Sequence, residues 1–227
     1  MQEVTREYAE QVMSANGWLS YMPEPFRREI FGKAVVISFE PGQAIYRVGD
    51  PLGGMYGLVA GSVSINTASD SATPRLVHLG VAGAWTGEGP FLTGQPRRAE
   101  LRALSAAWMM HIPLEAMEQM ARKDSAFIRA VCVNTVLTVD VLVRIVHDLQ
   151  KRNASRRIAS VIHRTAWLGN ESIPLSQHDL GIMANASRQQ VNATLNKFSK
   201  NGWIEYNYRN IFIKNAKEIS NHAEQED

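Results

Sequence analysis

The stretch LSQHDLGIMANASRQQVNATLNKFSKNGWIE, residues 175–205, decides the fold of the C-terminal part of this chain. Ser176 stands three residues before Asp179, and Ser187 stands three residues before Gln190. A serine followed at this spacing by an acidic or amide side chain is typical of a helix N-terminus. The spacing therefore predicts two short helices that begin after these serines, with the turn MANA between them.

The second of these helices is predicted to have one buried face and one polar face. Val191, Leu195 and Phe198 recur at the i, i+4 and i+7 spacing of a buried helix face. The outward positions near its N-terminus are Arg188, Gln189, Asn192 and Ala193. Arginine pairs with guanine, and glutamine or asparagine pairs with adenine, so this surface is suited to base edges in the major groove of DNA.

A hairpin and a basic charge accompany the two helices. After Gly202, the runs WIEYN and IFIKN flank residues 208–210, which predicts the wing of a winged helix-turn-helix. Residues 153–217 carry 9 Lys/Arg and 3 Asp/Glu, whereas residues 1–152 carry 15 of each. A basic block is expected in a protein that binds a phosphate backbone. The alternative to a DNA-binding charge is a basic surface that only faces solvent. The alternative to a helix-turn-helix is a pair of ordinary helices in a small bundle.

The last ten residues and the overall composition limit the other possibilities. Residues 218–227 hold four acidic residues and no Lys or Arg, which predicts a disordered acidic tail. One cysteine excludes a disulfide framework, and six scattered histidines form no metal-ligand pattern. We find no signal peptide and no uninterrupted run of 18 apolar residues, so we expect a cytoplasmic protein that does not span a membrane.

The N-terminal half is predicted to be mostly β. Residues 34–112 contain many short apolar runs separated by turn signals such as EPGQ and VGDP. The segment Ser62–Asn66 alternates strictly, as a strand with one buried face does. Many short strands at close spacing favour a barrel, roll or sandwich. Pro113 then begins a predicted helix, PLEAMEQMAR.

Residues 124–152 contain no Gly or Pro and are predicted to form one long helix. Alternating spacings of three and four relate Ile128, Val131, Thr135, Thr138, Leu142, Ile145 and Leu149. Such a heptad seam predicts a parallel homodimer through this helix. The alternative is that the seam packs on the β domain of its own chain. Cys132 lies one residue off the seam, where we expect a small packing residue.

The order of these parts resembles the Crp/Fnr family of bacterial transcription regulators. The matching stretches are FEPGQAIYRVGDP (39–51), MYGLVAGSVSI (55–65), GEGPFLTGQPRRAELRAL (87–104), RRIAS (156–160) and LSQHDLGIMANASRQQV (175–191). The resemblance implies an α+β chain with an N-terminal, jelly-roll-like double-stranded β-roll, a long dimerisation helix and a C-terminal winged helix-turn-helix. The expected boundaries are 1–123 for the sensory roll, 124–152 for the helix, 153–217 for the DNA-binding domain and 218–227 for the tail.

The resemblance also implies a function and partners. Members bind double-stranded DNA as homodimers at two-fold symmetric sites, respond in many cases to an effector in the roll, and catalyse no reaction; contact with RNA polymerase is expected. The family's first base-contacting arginine matches Arg188, whereas the next two contacts fall on Gln189 and Ala193. We therefore expect a guanine contact within a half-site other than TGTGA. Expected phosphate contacts are Ser176, Ser187, Lys197 and Arg209.

The segment TGEGPFLTGQPRRAE, residues 86–100, matches the family's cyclic-nucleotide cassette in part. Gly87, Glu88 and Arg97 keep its frame, in which the carboxylate accepts from a ribose hydroxyl and the guanidinium pairs with the cyclic phosphate. Pro90 lacks the N–H that helps to hold the phosphate, and Arg98 replaces a small residue.

The long helix departs from the cAMP-binding branch as well. The hydroxyl pair that contacts adenine there falls on Leu142 and Val143, while Thr135 and Thr138 lie one to two turns earlier and are candidates to substitute. Two hypotheses follow: Arg97 and Arg98 bind a small anionic effector that Glu88 orients, or the cassette is a remnant in which Glu88 pairs with an arginine. We expect no cAMP cofactor in either case. A cAMP- or cGMP-responsive regulator is the alternative, and a cyclic-nucleotide sensor of protein partners is another. We identify no catalytic and no metal-binding residues.

Overall fold

The protein is described here by a computed structural model over residues 4–67, 75–166, 172–207 and 210–225. The chain divides into two compact units, residues 1–140 and 141–227. The helices in the described ranges are α1 Arg6–Ala15, α2 Glu24–Lys33, α3 Gly89–Thr93, α4 Leu114–Lys123, α5 Ala126–Gln150, α6 Ala154–Ala166, α7 Gln177–Met183, α8 Arg188–Lys200 and α9 Ala216–Glu224, with a 3-10 turn at Trp18–Tyr21. The long helix α5 therefore crosses the division between the units.

Two four-stranded antiparallel sheets form the β part of the first unit, as the alternating sequence predicts. Its strands are β1 Val35–Phe39, β2 Ala44–Tyr46, β3 Met55–Ala60, β4 Val63–Thr67, β5 Arg75–Gly80, β6 Trp85–Thr86, β7 Ala99–Ala103 and β8 Ala107–Ile112. The strand orders are β1-β8-β3-β6 and β2-β7-β4-β5. Leu58, Leu101 and Met109 belong to a buried apolar cluster that these strands share. This arrangement is the predicted β-roll.

Helices cover one side of the roll. Trp18, Ile30, Met110 and Met117 are buried in a second apolar cluster formed by the N-terminal helices, α4 and strand residues. Gly57 lets this layer approach closely, because a Cβ there would lie 2.5 Å from Met13 and 2.6 Å from the Trp85 ring. The first turns of α5 belong to the same cluster.

Helix α5 has two apolar faces, and this differs from the single predicted seam. Val131 and Ile145, two seam positions, are buried within their own chain. Three other seam positions, Ile128, Leu142 and Leu149, are exposed. A second exposed row lies one residue further along than the seam; it comprises Cys132, Val136, Val139, Val143 and Val146, and we call it the α5 stripe. The sequence pattern did not distinguish the two faces because both repeat every seven residues.

Cys132 is exposed in the single chain and lies on the α5 stripe, and its expected role as a small packing residue stays a prediction. The mean hydropathy of α5 is 1.8 over an 18-residue window, so by length and composition it is apolar enough to cross a membrane. The sequence-based expectation considered uninterrupted apolar runs, which polar residues break in this helix.

The second unit contains α6 to α9 and a three-stranded sheet. Its strands are β9 Ser172–Ile173, β10 Ile204–Tyr206 and β11 Ile211–Ile213, in the order β10-β11-β9. β10 and β11 pair antiparallel, as the wing requires. Residues 208 and 209, which include the predicted phosphate contact Arg209, lie outside the described residues.

The predicted acidic tail differs from the structure. Residues 216–224 form helix α9, which the Asn215 side chain caps. Ile219 and Ala223 are buried against the rest of the unit, and so is His222. Four acidic residues in ten suggested disorder, but two buried apolar residues one turn apart are sufficient to dock a short helix once α6 offers an apolar surface.

Candidate DNA-binding surface and roll site

Helix α8 presents its N-terminal turn to solvent. The Ser187 side chain accepts from the Gln190 N–H at 3.2 Å, and the Gln190 side chain accepts from the Ser187 N–H at 2.9 Å, which completes a capping box. Val191, Leu195 and Phe198 are fully buried, as predicted. Arg188, Gln189 and Ala193 are exposed and Asn192 is half-buried. The four candidate base contacts thus share the outer side of one capped helix.

The turn between α7 and α8 depends on two residues with special backbone roles. Asn185 adopts a positive φ of 46°, a conformation that asparagine tolerates better than most residues. A Cβ on Gly181 would lie 3.0 Å from the Ala186 carbonyl oxygen, so a larger residue would push the turn away from α7. The turn brings the two helices into the angle of a helix-turn-helix.

Arg157 anchors this turn, and the sequence analysis assigned it no role. Its guanidinium donates to the carbonyl oxygens of Ala184 and Asn185 in the turn, at 2.8 and 2.9 Å. It also donates to the carbonyls of Lys151 and Arg152, just beyond α5, at 2.7 and 2.9 Å. The RRIAS motif was the available signal, but the turn residues that Arg157 contacts lie 27 and 28 positions further along the chain.

The predicted phosphate contacts differ in how free their side chains are. The Ser176 hydroxyl accepts from the Asp179 N–H at 3.1 Å and donates to the Asp179 carboxylate at 2.6 Å. The Ser187 hydroxyl serves the capping box, while Lys197 is exposed on α8. Both serine hydroxyls are therefore already engaged in capping helices, whereas the exposed Lys197 ammonium is available to a phosphate.

The roll brings together Glu88 and Thr135, while the expected role of Thr135 as a substitute for the adenine-contacting hydroxyl stays a prediction. The Thr135 hydroxyl donates to Glu88 Oε1 at 3.3 Å. Glu88 is only 9% exposed. Because α5 contributes this hydroxyl, the carboxylate of the cassette is linked to the long helix within one chain.

Arg97 is held by the main chain. It donates to the carbonyl oxygens of Gly87 and Gly54, both at 2.7 Å. Glycine is required beside it, since a Cβ at Gly53 or Gly87 would lie within 2.6 Å of its guanidinium nitrogens. The described contacts of Glu88 and Arg97 do not include a salt bridge between the two, so the pairing suggested for a remnant cassette is not formed.

Three aromatic rings near Arg97 were missed by the sequence analysis. The Arg97 guanidinium carbon lies 4.3 Å from the Tyr46 ring centroid and 5.9 Å from that of Tyr56. The Tyr56 ring stacks on His111, with 4.3 Å between centroids. These residues belong to different strands, so no short motif joins them.

Burial sets the titration behaviour of this aromatic group. Burial lowers the pKa of the Arg97 guanidinium and raises the pKa of the Tyr46 hydroxyl. Burial also lowers the pKa of His111, and the Arg97 charge lowers it further. At neutral pH, Arg97 is therefore the charged member of a cluster whose other members are neutral.

The remaining predicted effector residues, Arg98, Thr138 and Leu142, are exposed. The Thr138 hydroxyl donates to the Asn134 carbonyl of its own helix at 3.0 Å. Leu142 is 45% exposed on α5. Pro90 is buried in the first turn of α3.

A β-roll followed by a long helix and a capped, winged helix-turn-helix defines a class of DNA-binding regulators. Residues 36–124 match the cyclic nucleotide-binding domain family, and residues 156–221 match the Crp-like helix-turn-helix domain family. Together these matches span more than half of the chain. The protein belongs to the Crp/Fnr family of transcription regulators.

Known proteins with the same architecture are distant in sequence. Electron transport regulator A of Shewanella oneidensis is 21% identical over 193 residues, which are 80% of this chain and 75% of that protein. A solved protein from Ruegeria pomeroyi matches with a TM-score of 0.73 at 14% identity, over 98% of this chain and 100% of its own. FixK2 from Bradyrhizobium japonicum matches with a TM-score of 0.72 at 17% identity, over 86% and 99%. At these identities the structural matches establish the fold alone.

Proposed function

We propose that this protein is a homodimeric, sequence-specific DNA-binding transcription regulator whose α8 helix contacts base edges. The observation that carries the proposal is the outer row at the capped N-terminus of α8, in which Arg188 and Gln189 are exposed and Asn192 is half-buried. Arginine suits guanine, and the two amides suit adenine. Ala193 adds only a methyl group, which suits a thymine methyl.

Selection of bound duplexes from a random pool tests this proposal. We expect a two-fold symmetric site that contains a guanine and differs from the TGTGA half-site. Arg188→Gln should relax the preference for that guanine by about 1–3 kcal/mol, whereas Lys197→Gln should weaken binding to all sequences equally and lower its salt dependence. Two results would contradict the assignment: recovery of the TGTGA half-site, or an Arg188→Gln variant that keeps every base preference of the wild type.

Dimerisation through α5 is the second part of the proposal. The α5 stripe places a residue at every third or fourth position from 132 to 146, including Val143 at 62% and Val136 at 59% exposure. A second copy of the chain covers such a stripe in register, as in a coiled coil. Two DNA-binding units related by a two-fold axis then match a symmetric DNA site. This occupant also accounts for the hydropathy of α5 without a membrane.

We further propose that the roll does not bind cAMP. Pro90 removes one N–H from the first turn of α3, and Leu142 and Val143 supply no hydroxyl. Thr135 already donates to Glu88, and Arg97 already donates to two carbonyls. The frame that remains suits a small anionic effector other than cAMP, for which Arg97 would have to exchange its carbonyl partners.

Calorimetric titration of the purified dimer with cAMP and cGMP tests this part. We expect no heat of binding for either nucleotide at micromolar concentration. Binding that Arg97→Gln abolishes would establish the cyclic-nucleotide-responsive alternative. Binding that persists in the variant would place the nucleotide elsewhere and leave our assignment of the roll intact.

The remaining parts of the proposal follow from the class of protein. A regulator of this family acts in the cytoplasm, where DNA and RNA polymerase are present, and we propose contact with both. Its described residues include no cluster of His, Cys, Asp and Glu suited to a metal ion. We assign it no enzymatic reaction. Failure to shift any promoter fragment would favour a sensor that acts on protein partners.

A further inference from the structure

The second unit contains a polar cavity that the DNA-binding function does not use. Its volume is about 380 Å³, and it lies among the last turns of α5, α6 and α9. Two arginines, two histidines, two serines and two carboxylates line it. The residues come from three helices, so the cavity exists only when these helices are packed together.

The positive charge around Asp148 exceeds its single negative charge once Lys151, which pairs with Asp148 but does not line the cavity, is counted. Asp148 accepts from Lys151 Nζ at 3.0 Å and from the Arg164 guanidinium. All three side chains are buried, with exposures of 10%, 11% and 7%. Two buried cations therefore share one carboxylate. Glu224 lies 3.9 Å from Lys151 but is 68% exposed, so solvent screens its contribution.

The Arg164 guanidinium has one nitrogen whose hydrogen-bonding capacity is not used. Its Nε is buried and has no hydrogen-bond partner among the described residues. Burial lowers the pKa of its guanidinium, and the charge of Arg144, also in the cavity wall, lowers it further. Buried charged groups are normally paired and hydrogen-bonded, because leaving them uncompensated costs several kcal/mol. An anion in the cavity would supply the missing negative charge.

The donors around the cavity suit one kind of anion. Arg144 and Arg164 provide guanidinium groups, His147 and His163 provide ring nitrogens, and Ser220 provides a hydroxyl. Donors of these types from several directions are those that hold a tetrahedral phosphate. We propose that this cavity binds a phosphate group, either as inorganic phosphate or as the monoester of a small molecule.

The carboxylates in the wall are compatible with this proposal. Asp148 is already neutralised by two cations, and Glu224 extends toward solvent. A bound phosphate would connect the end of α5 to α6 and α9. The proposed ligand is thus separate from the effector of the roll, and the two can be tested independently.

Calorimetric titration with inorganic phosphate, and separately with glucose 6-phosphate, tests the proposal at constant ionic strength. We expect binding of at least one of them in the millimolar range or tighter, a range that begins near −4.1 kcal/mol. Tighter binding of the ester identifies a phosphorylated small molecule, and equal or weaker binding identifies the free ion. No binding of either up to about 10 mM would overturn the proposal.

Two variants and one control locate the ligand. Arg164→Gln leaves the Asp148–Lys151 pair in place, and Arg144→Gln alters the wall without touching that pair; each should weaken binding at least tenfold. Arg129→Gln, which changes an exposed arginine of α5 outside the cavity, should leave it unchanged. Circular dichroism would show whether Arg164→Gln folds. If it does not, the comparison of phosphate binding by Arg144→Gln and by wild type still tests the proposed site.

The titration of His163 provides a readout that a merely structural role would not alter. Burial lowers the pKa of His163 in the free protein. A phosphate dianion in the cavity favours the imidazolium, so saturating phosphate should raise the pKa of His163 in nuclear magnetic resonance spectra. An unchanged His163 pKa in the presence of bound phosphate would place the ion elsewhere.

Discussion

The dimer interface can be tested quantitatively through Val143, the most exposed valine of the α5 stripe. Val143 is 62% exposed in the single chain. Val143→Ala removes two methyl groups, and burial of these from full exposure is worth about 1.6 kcal/mol. Scaled by the exposed fraction, the loss is about 1 kcal/mol per chain and about 2 kcal/mol per two-fold dimer, or roughly 30-fold in the dimer dissociation constant.

Sedimentation equilibrium over a range of protein concentrations measures this constant directly. Val48→Ala is the matched control, since Val48 is 43% exposed but lies between β2 and β3, away from α5. We expect the control to dimerise like wild type. A Val143→Ala constant within threefold of wild type would show that the α5 stripe is covered by something other than a second copy. Equal weakening by both substitutions would refute the reasoning in the same way.

Three further predictions concern single residues. In a parallel, in-register dimer the Cys132 thiols of the two chains face each other, so mild oxidation should give a covalent dimer on a non-reducing gel, which Cys132→Ser abolishes and an antiparallel dimer would not form. Arg157→Lys cannot reach the four carbonyls that the guanidinium joins, and urea unfolding should show a loss of about 2–3 kcal/mol, since hydrogen bonds from charged groups are worth about 1.5–3 kcal/mol. Burial lowers the pKa of His222 in the folded chain. Below about pH 6.5 the His222 imidazole is therefore protonated in the unfolded chain while it stays neutral in the folded chain. Stability should therefore fall from about pH 6.5 down to the lower folded-state pKa, and His222→Gln should lose this part of the pH dependence in urea unfolding.

Helix α8 could be predicted from the sequence because its determinants are local. The Ser187 cap, the Gln190 side chain and the buried face lie within twelve residues, and each acts on the backbone beside it. The division of the roll into strands was predictable for the same reason, since turns and alternation are short-range patterns.

The environment of Arg97 could not be predicted in this way. The cassette contains the guanidinium and one partner, the Gly87 carbonyl, but its other partners are the Gly54 carbonyl, 43 residues away, and the rings of Tyr46 and Tyr56. Nothing in the cassette shows that the guanidinium is engaged by main-chain carbonyls and stacked on an aromatic ring. Strand order decides which residues meet there.

The sequence by itself determined the two features that we propose to contact DNA, a capped polar helix and a basic C-terminal region, because helix caps and charge act over short distances. The tertiary structure alone decided which side of α5 is exposed, that residues 216–224 form a docked helix, and that Arg157 joins the turn to the end of α5. Each of these depends on surfaces supplied by distant parts of the chain. A seven-residue repeat gives the period of a helix face, but only packing decides which of two such faces the chain itself covers.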